Sequence, residues 1–186
     1  MAKVIHLVLI NGSLRSGSTH GAVLKTALAV APPGTELTLC PSLGELPHFN
    51  PDDDKDPLPP SAASLRALLG QADGVLFCTP EYAGSLPGSF KNLLDWTVGE
   101  GLHQKPVGYV NAAALGGAKG AHQMLRVVLG YVNADVVERA CVDVPVRRDR
   151  VGPDGTFQDA AILRGIRSAL DAMVEHIQRR RTAELS

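Results

Sequence analysis

Apolar residues in this chain come in short blocks separated by helical stripes, and the alternation runs five times. Val4, Ile5, Leu7, Val8, Leu9 and Ile10 form a run with almost no polar interruption. It reads as a strand buried on both faces, because a half-exposed strand would alternate. Over residues 22–31 the period becomes helical, with Val23, Ala27 and Val30 on one face and Leu24, Leu28 and Ala31 beside it. Residues 36–40 are a short strand after the Pro32-Pro33-Gly34 turn. Ser61 is placed to cap a helix running to about Leu69, with Leu65, Leu68 and Leu69 as its stripe. A second apolar strand, residues 74–79, holds Val75, Leu76, Phe77 and Cys78, and a helix from Ser89 lines up Phe90, Leu93, Leu94, Thr97 and Val98. A strand at 106–114, a helix bearing Met124, Leu125, Val128, Leu129 and Val132, a strand at 136–144 and a closing helix at 160–179 complete the chain. Strict β-α alternation predicts an α/β three-layer sandwich, a five-stranded parallel sheet with right-handed crossovers and helices on both faces. The common order for five such strands is 2-1-3-4-5. A length of 186 residues suits one domain, residues 1–186.

That order puts the ligand outside the carboxyl ends of the first and third strands. The first strand empties into Asn11, Gly12, Ser13, Leu14, Arg15, Ser16, Gly17, Ser18, Thr19 and His20. A helix N-terminus follows, with unpaired N–H groups and the positive end of a dipole, where an anion is favoured. Ser13, Ser16, Ser18 and Thr19 add hydroxyl donors and Arg15 a planar fork suited to phosphate oxygens. On this loop alone, a Ser/Gly connector with a good N-cap at Ser18 or Thr19 would look the same. The loop lacks the lysine of a P-loop, and its glycines do not fit G-x-G-x-x-G, which disfavours nucleoside triphosphates and the dinucleotide fingerprint. The third strand empties into Thr79, Pro80, Glu81, Tyr82, Ala83, Gly84, Ser85, Leu86, Pro87 and Gly88. Pro80 and Pro87 stiffen it, Gly84 and Gly88 let backbone approach a flat ring, and Tyr82 offers an aromatic face. A third glycine loop, Leu115 to Gly120, follows the fourth strand.

Composition narrows the classes without adding chemistry. With 45% hydrophobic and 20% charged residues and a net charge of −1, the chain is ordinary for a globular α/β protein and has no electrostatic case for nucleic acid. No apolar run reaches the ~18 residues that span a bilayer, and the start lacks the pattern of a signal peptide, so a cytoplasmic location is expected. Cys40, Cys78 and Cys141 fall in predicted strands with no C-x-x-C, and read as buried inert thiols. The six histidines form no H-x-x-x-H or H-E-x-x-H pair, and no metal site is predicted. Residues 41–60 are a long irregular segment. Its acidic part, Asp52 to Asp56, reads as a solvated tip. Leu46 to Asn50 either folds over a neighbouring pocket or is anchored to the core through Phe49. Trp96 either packs beneath a loop or meets a second subunit.

The first loop, followed by Thr79-Pro80-Glu81-Tyr82-Ala83-Gly84-Ser85-Leu86-Pro87-Gly88-Ser89-Phe90-Lys91-Asn92-Leu93-Leu94-Asp95-Trp96, resembles the NAD(P)H-dependent FMN reductase family, and so does Gly116-Gly117-Ala118. The resemblance spans about residues 3–175. It implies a flavodoxin-like fold, FMN reduced by NADPH or NADH, a homodimer or homotetramer, and small acceptors such as quinones, free flavins, azo dyes or metal oxyanions. Carried over by position, Ser13, Arg15, Ser18, Thr19 and His20 hold the FMN phosphate. Pro80, Glu81, Tyr82 and Ala83 line the ribityl chain and ring, and N–H groups near Gly116 and Gly117 serve the pyrimidine edge. The family pattern has Asn at His20, whose imidazole can donate one hydrogen bond or carry a charge near the phosphate. Ala112, Ala113 and Ala114 replace its frequent Ser and Thr. Glu81 is expected to be a structural or interface acceptor, not a general base, and no catalytic side chain is predicted, because the chemistry belongs to the flavin. Ping-pong kinetics follow. The rival readings are a flavodoxin-type electron carrier and a flavin-binding sensor without turnover.

Overall fold

The computed structural model describes residues 3–183. Its strands are β1 (Ile5–Asn11), β2 (Thr35–Leu39), β3 (Gly74–Cys78), β4 (Pro106–Asn111) and β5 (Asp135–Asp143). All pair in parallel, in the order β2-β1-β3-β4-β5 that the alternation predicts. The helices are α1 (Thr19–Ala29), α2 (Pro60–Gln71), α3 (Gly88–Trp96), α4 (Lys119–Tyr131) and α5 (Ala160–Ala183). Successive strand residues point to opposite faces, so each apolar block supplies two layers. Leu7, Leu9, Leu76 and Cys78 pack with α1 and α5. Val8, Ile10, Val75 and Phe77 pack with α2, α3 and α4. Each fully buried Leu, Ile or Phe contributes about 1.5–3 kcal/mol, which is why the central strands read as unbroken apolar runs.

Several boundaries move for local reasons. Val4 lies outside β1 and is half exposed. Helix α1 starts at Thr19, three residues before the apolar stripe, because the Ser18 side chain caps it by accepting the Gly21 N–H. Ser61 is not a cap. Helix α2 begins at Pro60, whose missing N–H would have had no helical partner, and Pro59 holds the N-cap position. β4 ends at Asn111, short of the three alanines. Val98 lies beyond α3, and Met124 faces solvent instead of the core. Cys40 sits one residue past β2, its N–H bonded to the Leu9 carbonyl.

The long segment after β2 is anchored. Trp96 Nε1 and Asn92 Nδ2 both donate to the Pro47 carbonyl at 2.9 Å, and Asn92 Oδ1 accepts the Phe49 N–H at 2.8 Å. The Phe49 ring meets Trp96 edge-on at 5.0 Å. Both open readings resolve the same way, with Phe49 as the anchor and Trp96 beneath the loop. Asp52 and Asp53 are exposed, but Asp54 pairs with Arg66 at 2.7 Å, so the acidic tip is only partly solvated. The basic residues ending α5 are used inside the fold, Arg180 on Asp135 at 2.9 Å and Arg181 on Asp73 at 2.6 Å.

The segment between β5 and α5 is pinned through α1. Thr26 Oγ1 donates to the Ala22 carbonyl and accepts the buried Phe157 N–H at 2.9 Å. Thr26→Val keeps the shape but leaves that N–H without an acceptor. We expect a loss of about 1–3 kcal/mol in chemical denaturation, whereas Thr26→Ser retains most of the stability.

Candidate functional site

The site begins where β1 and β3 end side by side. Asn11 is opposite Cys78 in the register, and the Gly12 N–H continues the ladder to the Cys78 carbonyl at 2.9 Å. A Cβ on Gly12 would lie 2.2 Å from Thr79 Oγ1, so only glycine lets the two loops leave the sheet in contact. The first loop then folds on its own side chains. Asn11 Oδ1 accepts the Ser13 N–H at 3.0 Å, Ser13 Oγ accepts the Arg15 N–H at 3.3 Å, and Ser18 Oγ accepts the Gly21 N–H at 3.0 Å. Both serine hydroxyls are buried as acceptors here and keep a proton to donate. The N–H groups of Ser16, Gly17, Ser18, Thr19 and His20 have no partner among the described residues. No acidic residue occupies the first turn of α1, and Arg15 is exposed with no ion-pair partner among the described residues. These donors, with the positive end of α1, form an anion cradle.

The second and third loops are locked to each other. Tyr82 and Ser85 exchange two backbone hydrogen bonds at 3.0 Å around Ala83 (φ 50°) and Gly84 (φ 72°), a turn of the primed kind with both central residues left-handed. Tyr82 stands at its base with 55% of its surface exposed, beyond the buried Pro80. Glu81 reaches across to α4, where its Oε2 accepts the Ala121 N–H at 2.9 Å. Helix α4 needs this, because its own N-cap residue, Ala118, has no side chain that can accept. A Cβ on Gly120 would sit 2.3 Å from the Gly84 carbonyl, so the loops touch backbone to backbone.

Asn111 holds the third loop from below. Its Oδ1 accepts the Ala113 N–H at 3.1 Å, and its Nδ2 donates to the Gly117 carbonyl at 3.1 Å and to Asp143 at 2.8 Å. The Gly117 N–H goes to the Ala114 carbonyl at 3.2 Å, so of the two donors expected in this loop that of Gly117 is spent within the loop itself. Thus Ser13, Arg15, Ser18, Thr19 and His20 gather on the first loop, and Pro80, Glu81, Tyr82, Ala83, Gly116 and Gly117 on the other two. Sequence reasoning missed Asn11, Thr79, Asn111 and His122. The available signal was an Asn closing an apolar strand before small residues, the arrangement in which its side chain bonds the N–H two residues on.

Two imidazoles lie in this region. Burial pushes His20 down to about 4, helped by the nearby His122. Burial also lowers His122, against the pull of the Ala118 carbonyl, Asp143 and Glu81. Of the three thiols expected to be buried only Cys78 is fully so, with Cys40 and Cys141 partly covered; burial still raises all three, Cys40 and Cys141 to about 11 and Cys78 further, so none is a nucleophile at neutral pH.

The chain matches the family described as NADPH-dependent FMN reductase over residues 5–146. It is 32% identical to a quinone reductase of Escherichia coli (strain K12), over 96% of this chain and 98% of that one. It is 30% identical to an NAD(P)H-dependent FMN reductase of Pseudomonas aeruginosa, over 97% of this chain and 100% of that one. Among solved structures, the flavoenzyme NAD(P)H:(acceptor) oxidoreductase FerB of Paracoccus denitrificans superposes with a TM-score of 0.78 at 28% identity, covering 95% of this chain and 98% of that one.

Glu81→Ala removes the cap of α4 and the tie between two loops, and should cost about 1 kcal/mol in urea unfolding. Glu81→Gln, which keeps an acceptor oxygen, recovers most of it. In the unfolded chain His20 titrates near 6.5 and in the folded chain near 4, so the unfolded state binds the proton first. The unliganded protein therefore keeps this contribution above pH 6.5 and loses it as the pH falls toward 4. His20→Asn should flatten that limb of the stability profile.

Proposed function

Since the chain belongs to the NADPH-dependent FMN reductase family, we propose that FMN lies across the three loops and that the enzyme passes two electrons from NAD(P)H to a small quinone-like acceptor. It is an oxidoreductase of the flavodoxin-like fold with FMN and NAD(P)H as its cofactors. The observation that carries the placement is the run of unpartnered N–H groups from Ser16 to His20 beside two buried serine hydroxyls. That donor set fits a phosphate monoester, which needs many hydrogen bonds and tolerates no competing carboxylate.

In this reading Ser13, Ser18, Thr19 and His20 hold the phosphate, and Arg15 closes over it from the rim. Pro80, Glu81, Tyr82 and Ala83 flank the ribityl chain and ring. Glu81 acts indirectly, since its carboxylate is already bonded to α4 and keeps the second and third loops at a fixed separation. Tyr82 supplies an exposed aromatic surface at the mouth, and Gly116 and Gly117 let backbone reach the ring edge. When bound, the flavin supplies the hydride and electron transfer itself. The side chains bind, orient and keep the ring at stacking distance, and none has to move a proton. One mouth serves both nicotinamide and acceptor, so the kinetics are ping-pong. The reaction needs NAD(P)H, which fits a cytoplasmic enzyme, and no helix among the described residues is long and apolar enough to cross a membrane. Met124, Val127 and Tyr131 form an exposed apolar stripe on α4, which supports assembly as a homodimer or homotetramer.

Under anaerobic conditions the flavin band of the FMN-loaded protein should bleach with NADPH or NADH and return with a quinone, and initial rates should give parallel double-reciprocal lines. A flavin that neither nucleotide reduces would indicate a carrier or sensor. Arg15→Ala should weaken FMN binding by about 1.5–3 kcal/mol, roughly ten- to a hundredfold in Kd, as read from flavin fluorescence.

A further inference from the structure

The chain that follows β5 stays beside the third loop before it turns away. The Val144 N–H donates to the Asn111 carbonyl at 2.9 Å and the Val146 N–H to the Ala112 carbonyl at 3.3 Å, so the parallel pairing of β4 with β5 runs on past the end of the sheet. Asp143 accepts from Asn111 at 2.8 Å, and the same Asn111 holds the third loop. The arginine-rich run of residues 147–150 therefore emerges at the same edge as the three loops, with Arg148–Arg150 forming one 3-10 turn. Strand β5 lies two places from β3 in the sheet, roughly 10 Å away. Between this turn and the first turns of α5 is an open cleft of about 370 Å³. Val144, Pro145 and Ile162 give it apolar walls, and the exposed Arg147 and Arg150 line it as well.

Charges along this segment balance in number but not in use. Residues 143–164 hold four arginines and four aspartates. Each aspartate already accepts hydrogen bonds: Asp143 from Asn111, Asp149 from Arg147, Asp154 from Thr156, and Asp159 from the Ala161 and Ile162 N–H groups at the start of α5. The side chains of Arg148 and Arg150 have no hydrogen bond or ion pair among the described residues, and Asp149 and Asp159 act on Arg150 only through space. Arg150 is thus the cation that lines the cleft with its guanidinium uncommitted.

We propose that this cleft takes the adenosine 2′-phosphate end of NADPH, with Arg150 as the residue that selects NADPH over NADH. The inference rests on the chain being an NAD(P)H-dependent reductase with its flavin across the three loops, and it names which nucleotide that enzyme prefers. A nicotinamide dinucleotide carries its adenosine a pyrophosphate away from the reacting ring, so an adenosine subsite belongs at the same edge as the flavin but not beside it. Apolar walls suit the adenine base. The 2′-phosphate adds about −1.5 to −2 charges at neutral pH, which NADH lacks, and a planar guanidinium can meet it with two parallel hydrogen bonds. In doubly wound folds an acid takes the ribose 2′-hydroxyl of NAD, whereas an arginine accommodates the 2′-phosphate of NADP. Here the acids lining the cleft, Asp143 and Asp159, already hold Asn111 and the first N–H groups of α5, so the free group is the arginine.

The test uses two fragments that lack the nicotinamide, adenosine 2′,5′-bisphosphate and adenosine 5′-monophosphate, titrated by calorimetry into the FMN-loaded protein and into the apoprotein. The bisphosphate should bind about tenfold more tightly, the worth of a charge-assisted contact, and added salt should shrink that advantage. In Arg150→Gln the advantage should disappear. Arg150→Lys keeps the charge but loses the fork, and should retain part of it. With the loaded enzyme, Arg150→Gln should lower the ratio of kcat/KM for NADPH over NADH by about tenfold, through the KM for NADPH. Backbone amide shifts caused by the bisphosphate should centre on residues 143–165. Equal affinity of the wild type for the two fragments, an advantage that Arg150→Gln leaves unmoved, or shifts centred elsewhere overturns the proposal. Flavin fluorescence reads the FMN site separately, so any of these results leaves the FMN reading intact. Failure of FMN to bind while the bisphosphate keeps its advantage overturns the FMN placement alone.

Discussion

Parallel pairing of β1 with β3, carried to Asn11 opposite Cys78 and one hydrogen bond further by Gly12, is the constraint on which the site rests. Parallel strands leave a sheet at the same edge, so the loops after them emerge as neighbours, whereas antiparallel pairing would send them to opposite ends. The contact is tight enough that the first loop must start with a residue lacking a side chain, because the Thr79 side chain fills the place of a Cβ. The order β2-β1-β3-β4-β5 then adds the third loop on the far side of the second. Three segments separated by dozens of residues meet without any of them being long.

The loops divide their hydrogen bonds unequally, and that inequality orients the site. In the first loop the side chains of Asn11, Ser13 and Ser18 satisfy the Ser13, Arg15 and Gly21 N–H groups and leave the run from Ser16 to His20 unmatched. In the third loop the needs are met internally, by Asn111, by the Ala114 carbonyl and by Glu81 on the end of α4. One helix N-terminus is thus neutralised by a carboxylate of the protein, and the other is left for an anion from outside. Glu81 is more consequential as a spacer between loops than it would be as a free acid.

Burial sets the charge state at the same place. Low-dielectric surroundings hold His20 and His122 neutral, and burial keeps the three thiols protonated. Ion pairs on Asp73, Asp135 and Glu138 lie elsewhere, where they tie α5 to the start of β3 and to β5, and α4 to β5.

The strands and the two loops with binding chemistry were legible in the chain because they depend on contacts between near neighbours, and the strand order followed from the arrangement common to five alternating β-α units. Unbroken apolar runs mark strands covered on both faces, helical stripes follow within a turn, and Ser18 caps α1 through a hydrogen bond three residues away. The resemblance to a known family followed from the same loops. What only the tertiary structure decided lies across the sheet. The Glu81 carboxylate acts 40 residues away on Ala121. Trp96 and Asn92 clamp a loop 45 to 49 residues earlier. Even the start of α2 escaped, since Ser61 has the chemistry of a cap but Pro60 has the backbone of a first helical residue. Periodicity and capping are written into intervals of two to four residues, whereas which side chain answers a distant N–H depends on strand register and loop contact, and those exist only once the sheet has formed.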